Sequence, residues 1–186
     1  MIRVDIETII MASGPVPSVI VLRERKPSNS SSETPLRALS IQTGPYEAAS
    51  IGYGIDPAKQ AQRPIAHDVL LQSIKGLDAK VERIEINRWE DPVFYADVIL
   101  ARNESANMAD HAEESTADPT KRTEIKIDAR PSDALALATR ANAPIYVEDD
   151  IMNRAGSISY QANDQTGTEE FEQFDAFVQN LSPDDF

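Results

Sequence analysis

"DARPSDALALATRANAPIYV", residues 128–147, decides how the rest of the chain is read. Proline at 131 suits a first helical turn, where its missing N–H has no partner to lose, and the alanine- and leucine-rich run after it predicts a helix to about Ala141. "PIYVED" then reads as a strand. The same pattern places Arg130 at the N-cap, a poor choice of residue. Arginine offers the free N–H groups no acceptor, and its charge opposes the positive end of the helix dipole.

Working outward, strands alternate with short helices. "MIRVDIETIIM" alternates Ile2, Val4 and Ile6 as a half-buried strand does, and "PSVIVLRER" reads as a second strand. The polar loop 27–35 joins it in a hairpin to "LRALSIQTG". A short helix follows the Gly44-Pro45 turn. In "RPIAHDVLLQSIKGLDAKVERIEI", Pro64 takes a first helical position, Val69, Leu70, Ile74 and Leu77 recur at helical spacing, and Val81, Ile84 and Ile86 mark a strand. "PVFYADVILA" and "TEIKIDA" read as two more strands on either side of an acidic insert. The fold expected is α+β, a mixed or antiparallel sheet with packed helices. A helix-strand unit looks duplicated, because Arg63-Pro64 and Arg130-Pro131 open its two copies.

Residues 1–156 are read as one domain, with a loop at 27–35 and the insert at 103–122. Residues 157–186 are read as an acidic linker and a C-terminal amphipathic helix, on which Phe171, Phe174, Val178 and Leu181 make one stripe. The chain lacks cysteine, which excludes disulfides, thiol nucleophiles and cysteine-ligated zinc. Its apolar runs are too short to span a bilayer and it shows no leader pattern, so a cytoplasmic location is expected, with no membrane partner. The net charge of -13 disfavours simple coating of nucleic acid. Five acids fall in 103–118 and seven in 164–186, with no base in either, so removing them leaves about -1 for the remainder and a local basic cleft stays open as a reading.

Two readings of the Arg-Pro helix starts compete. In one, each arginine pairs with a nearby carboxylate, Asp128 or Asp133 in the second copy, and ties helix to sheet. In the other, arginine and free helix N–H groups hold a phosphate. Of the two histidines, His111 lies in the acidic insert, and His67 reads either as a hydrogen-bonded helix residue or as a functional one.

"QTGPYEAASIGYGI", "RPIAHDVLLQSI", "VFYADVIL" and "IDARPSDALALATRANAPIYV", in that order, resemble the bifunctional nuclease family, named for cleavage of both RNA and DNA. The ending "FVQNLSPDDF" resembles the tail of many bacterial members. The resemblance implies a self-associating α+β domain and places signature positions at Glu47, Arg63, Pro64, His67, Asp68, Asp128, Arg130, Pro131, Ser132 and Asp133. DNA lacks the 2′-hydroxyl, so water or a side chain has to attack phosphorus. The chemistry expected is hydrolysis assisted by Mg²⁺ or Mn²⁺ on Asp68, Asp128 and Asp133, with Glu47 as a further carboxylate. Arg63, Arg130 and Ser132 would bind substrate, and His67 would protonate the leaving oxygen or orient water. The alternatives are a non-catalytic oligomeric module that binds nucleic acid or an anion, and hydrolysis of a small nucleotide ester.

Overall fold

The computed structural model describes residues 1–13, 15–26, 35–56, 58, 62–103 and 122–158. In chain order the elements are β1 (Ile2–Ile10), β2 (Ser18–Glu24), β3 (Arg37–Thr43), α1 (Pro45–Ile55), α2 (Ala66–Gly76), β4 (Ala79–Glu90), β5 (Val93–Asn103), β6 (Arg122–Ala129), α3 (Pro131–Ala141), β7 (Ile145–Val147), α4 (Asp149–Ala155) and β8 (Ser157–Ile158). The strands form one sheet in the order β6-β5-β4-β7-β1-β2-β3-β8. Only β4 and β7 run parallel; the other neighbouring pairs are antiparallel. The expected mixed α+β architecture is therefore present.

Side-chain pattern explains each strand. Ile20 and Leu22 of β2 and Leu39 and Ile41 of β3 alternate into the core, as a sheet with one buried face requires. In β4 the step from Val81 to Ile84 breaks this two-residue period. A bulge between Val81 and Arg83 restores the phase, so Val81, Ile84 and Ile86 all face inward. Fully burying each such Ile or Leu contributes on the order of 1.5–3 kcal/mol.

Helix α3 sits centrally, with Ala134, Leu135, Ala136, Leu137 and Ala138 all buried. It packs on α1, α2, β4 and β5, and alanine is what such crowding admits. At the α1–α3 contact a Cβ on Gly54 would collide with the Thr139 side chain. The α2–β4 and α3–β7 junctions each turn through a left-handed residue, Asp78 (φ 56°) before β4 and Asn142 (φ 52°) before β7. Asp and Asn tolerate this region better than other side chains do. The two helix-strand units, α2–β4 and α3–β7, thus end in parallel neighbouring strands.

Several expectations need correction. Helix α2 begins at Ala66 with Ile65 as its N-cap, so Pro64 precedes the helix and Arg63 is not its cap. On α2 the buried apolar residues are Leu71 and Ile74, whereas Val69, Leu70 and Leu77 are exposed. Helix α4 and strand β8 were not expected from sequence. At seven residues α4 is too short to show a helical period, although its acids at 149 and 150 and Arg154 at its end match the helix dipole. The 27–34 loop, residues 104–121 of the insert, and the C-terminal helix expected within 169–181 lie outside the described residues.

Candidate functional site

Six of the expected site residues come from α1, α2 and the start of α3. Pro131 opens α3 and Arg130 is its N-cap, with no side-chain cap on the first N–H groups. The cation at this end is explained by its partners. Arg130 Nε donates to Asp133 Oδ2 at 2.7 Å and Nη2 to Oδ1 at 3.1 Å, a two-pronged pair one helical turn apart. Its Nη1 donates to Glu47 Oε1 of α1 at 3.2 Å. The carboxylate-pairing reading of this arginine therefore holds, and two of its five N–H donors remain unused by these bonds.

From Asp133 the network runs inward. His67 Nε2 lies 3.2 Å from Asp133 Oδ1, and its Nδ1 lies 2.9 Å from the Ser50 hydroxyl. Arg140 Nη2 donates to Ser50 Oγ at 3.3 Å, Nη1 to the Ser50 and Ala136 carbonyls, and Nε to Asp68 Oδ1 at 2.6 Å. Asp68 Oδ2 accepts the Ile65 N–H at 2.9 Å and closes the start of α2. One set of proton positions satisfies every link. His67 carries its proton on Nε2 and donates to Asp133, Ser50 donates to Nδ1, and Arg140 donates to Ser50. The row Glu47–Arg130–Asp133–His67–Ser50–Arg140–Asp68 thus ties three helices together.

The two arginines of the row differ in exposure. The Arg140 side chain is 4% exposed, while that of Arg130 is 65% exposed. The Arg130 guanidinium beside Asp133 holds its carboxyl below the usual range, with His67 contributing. Arg140 does the same to Asp68. Arg130 is in turn pushed up by Asp133 and Glu47. Asp133, Asp68 and Arg130 are therefore charged at neutral pH.

A cleft of about 560 Å³ opens beside the exposed end, lined by Glu47, Trp89, Asp91, Phe94, Arg130 and Ser132 among others. Glu47 folds back toward Gly44, where a Cβ would collide with its Oε2. Ser132 is buried at the cleft wall. Arg63 lies apart, in a second hollow of about 550 Å³ with Lys75 and Arg140.

The carboxylates expected to share a cation are held apart. Asp68 faces Arg140, Asp133 faces Arg130 and His67, and Asp128 is an exposed residue of β6 opposite Asp97. Among the described residues, no three His, Asp or Glu side chains form a group suited to a metal ion. In this arrangement the donor set does not fit Mg²⁺ or Mn²⁺, which need several oxygens converging on one point.

Sequence reasoning missed Ser50, Arg140, Trp89 and Phe94. Ser50 and Arg140 are interior links with no local signal. Trp89 and Phe94 were legible only as parts of strands.

The profile described as "Bifunctional nuclease domain" matches residues 30–159. Two uncharacterized proteins from two strains of Mycobacterium tuberculosis, MT1877 and Rv1829, are each 33% identical over 158 residues, covering 81% of this chain and 81% of theirs. Among the described residues, no helix is long and apolar enough to cross a membrane. With its four motifs in family order, its α+β sheet and its profile match, the chain belongs to the bifunctional nuclease domain family.

Proposed function

We propose that this protein hydrolyses phosphodiester bonds of RNA and DNA at the cluster of Glu47, Arg130, Asp133 and His67. The observation that carries the reading is the exposed end of the row. There, a carboxylate and an arginine with spare donors share a cleft with two aromatic rings.

In this reading the two unused N–H groups of Arg130, with the uncapped first N–H groups of α3, bind the phosphoryl oxygens. Glu47 accepts a proton from water as its oxygen attacks phosphorus. The bond to the leaving oxygen breaks, and the alkoxide takes a proton from solvent. His67 acts by position, since both its ring nitrogens are engaged: it holds Asp133, and Asp133 holds Arg130. No step passes through a metal, because the carboxylates do not converge on one point. A cytoplasmic site of action is part of the proposal.

The test is cleavage of labelled single-stranded RNA and DNA by wild-type protein and by Glu47→Gln, purified in parallel, with Mg²⁺, with Mn²⁺ and with chelator. A folded Glu47→Gln should lose on the order of 100-fold or more in rate. Equal rates in both proteins sink the assignment. Chelator-sensitive cleavage would return the divalent cation to the mechanism.

A second reading, a non-catalytic module that binds nucleic acid or an anion, draws on the charge at the site. Glu47 and Asp133 together outweigh Arg130, so polyanion affinity is weakened where cleavage would occur. Binding without cleavage in the same assay decides for it.

Self-association is also proposed, through β6. This strand lies at one edge of the described sheet, with Ile125 and Ile127 38% and 44% exposed. Its charges are self-complementary: in an antiparallel pair centred on Ile125, Arg122 faces Asp128 and Glu124 faces Lys126 of a second copy. An isologous two-fold contact follows.

A further inference from the structure

The cleft beside Glu47 and Arg130 has an aromatic wall that the hydrolysis proposal does not use. Trp89 near the end of β4 and Phe94 at the start of β5 are direct cross-strand partners. Their rings stack with centroids 5.8 Å apart and planes 15° apart. Both rings are partly buried against the core and both line the cleft. The Arg154 guanidinium lies 5.0 Å from the Trp89 ring centre, so a residue of α4 sets a cation against the indole. A paired, oriented aromatic surface facing a cavity is a stacking platform for a flat ligand.

Charge says which part of a nucleotide enters. Among the described residues, the cleft walls carry the carboxylates of Glu47 and Asp91 against one cation, Arg130, already paired with two acids. A phosphate inside would meet net negative charge, whereas a neutral base would not. Carboxylates accept hydrogen bonds, so they favour bases that carry an amino group. At about 560 Å³ the space lies within the usual range for a bound small ligand.

We infer that this cleft takes one unpaired, amino-bearing nucleobase, stacked on Trp89 and Phe94, while its phosphate stays at the rim beside Arg130. The inference deepens the hydrolase reading and rests on it for the position of the phosphate. Its consequence is substrate class. A base inside a duplex is stacked on both sides and paired, and it reaches such a cleft only after costly extrusion. The substrate is accordingly single-stranded.

Trp89 is the only tryptophan in the chain, so its fluorescence reports on this cleft alone. The probe is a short phosphorothioate oligo(dA), added to wild-type protein as a single strand and as its duplex with oligo(dT). Binding is followed in parallel by the anisotropy of a labelled copy, and cleavage by the assay above. The expected result is a saturable change in Trp89 emission with the single strand, and binding at least tenfold weaker for the duplex. Phe94→Leu should weaken single-strand binding by about fivefold or more, and Trp89→Phe, which keeps a ring, should bind within a fewfold of wild type. Anisotropy that rises while Trp89 emission stays still places the base elsewhere and overturns the inference, yet leaves the hydrolase reading intact. Equal affinity for strand and duplex overturns it too. Cleavage lost in Glu47→Gln, whose side-chain carbonyl still accepts a hydrogen bond, with the Trp89 response retained, supports both readings.

Discussion

His67 and Asp133 stand 66 residues apart in sequence and meet at 3.2 Å across the starts of α2 and α3. The contact matters because Asp133 is also the two-pronged partner of Arg130. One carboxylate thus links a half-buried histidine to an exposed guanidinium.

Asp133→Asn keeps the shape of that link and removes its charge. Cleavage is expected to fall about 100-fold or more, because Arg130 loses the partner that orients it. Single-turnover rates and circular dichroism, measured together, check it. A folded variant that cuts at the wild-type rate removes Asp133 from the site.

Asp68→Asn addresses the buried end. Arg140 would keep its charge in an interior position without the carboxylate that balances it. A loss of about 2–3 kcal/mol is expected, since hydrogen bonds to charged groups are the strong ones. Urea unfolding should show a lower midpoint at unchanged slope. A loss below about 0.5 kcal/mol would mean that water replaces Asp68.

The pH dependence of stability follows from the same pairs. Asp68 and Asp133 have folded-state pKa values below their ordinary ones, because Arg140 and Arg130 favour the carboxylate form. A depressed folded value stabilises the protein at pH above the unfolded value near 4, and that contribution is lost as the pH falls through the folded value. Unfolding free energy should therefore decline with acid below about pH 4, and more gently in Asp68→Asn. An identical slope in the variant contradicts the assignment.

Two glycines of α1 make a paired test. Gly54→Ala places a methyl against the Thr139 side chain, whereas nothing lies within 4 Å of a Cβ on Gly52. Gly54→Ala is expected to cost about 1–3 kcal/mol, and Gly52→Ala to gain up to about 1 kcal/mol by helix propensity. Thermal unfolding midpoints moving in opposite directions would support the close α1–α3 approach.

At the β6 edge, Arg122→Asp should set like charges against Asp128 of a second copy and shift sedimentation toward monomer. Adding Asp128→Arg should restore the larger species. Failure of the swap to restore it, or a wild-type protein that sediments as monomer at all concentrations, removes the edge contact.

Much of the fold was legible in the residues because periodicity survives where one face is buried. The strands β1 to β7 and helices α1 and α3 could be read in this way. Val69, Leu70 and Leu77 misled for the same reason: their helical spacing is real, but the face they share is not the one that meets the sheet. At the site, the break in capping preference at Arg130 was a true signal, because an ion pair compensates for it. Pro64 was a weaker one, since proline is equally at home just before a helix. Ser50 and Arg140 left no trace, because their roles depend on contacts such as Ser50–Arg140 across 90 residues of chain.

The thin attachment of α2 has a consequence of its own. Only Leu71 and Ile74 of this helix are buried, so relatively little apolar area resists its detachment, yet it carries both His67 and Asp68. Segments held this lightly open locally at a lower free energy than the whole domain. Each excursion of α2 takes the histidine from Asp133 and so loosens the carboxylate that orients Arg130 while the sheet stays intact. Amide exchange in α2 should consequently outpace that in β2 and β4, and heat should switch the site off before it melts the protein.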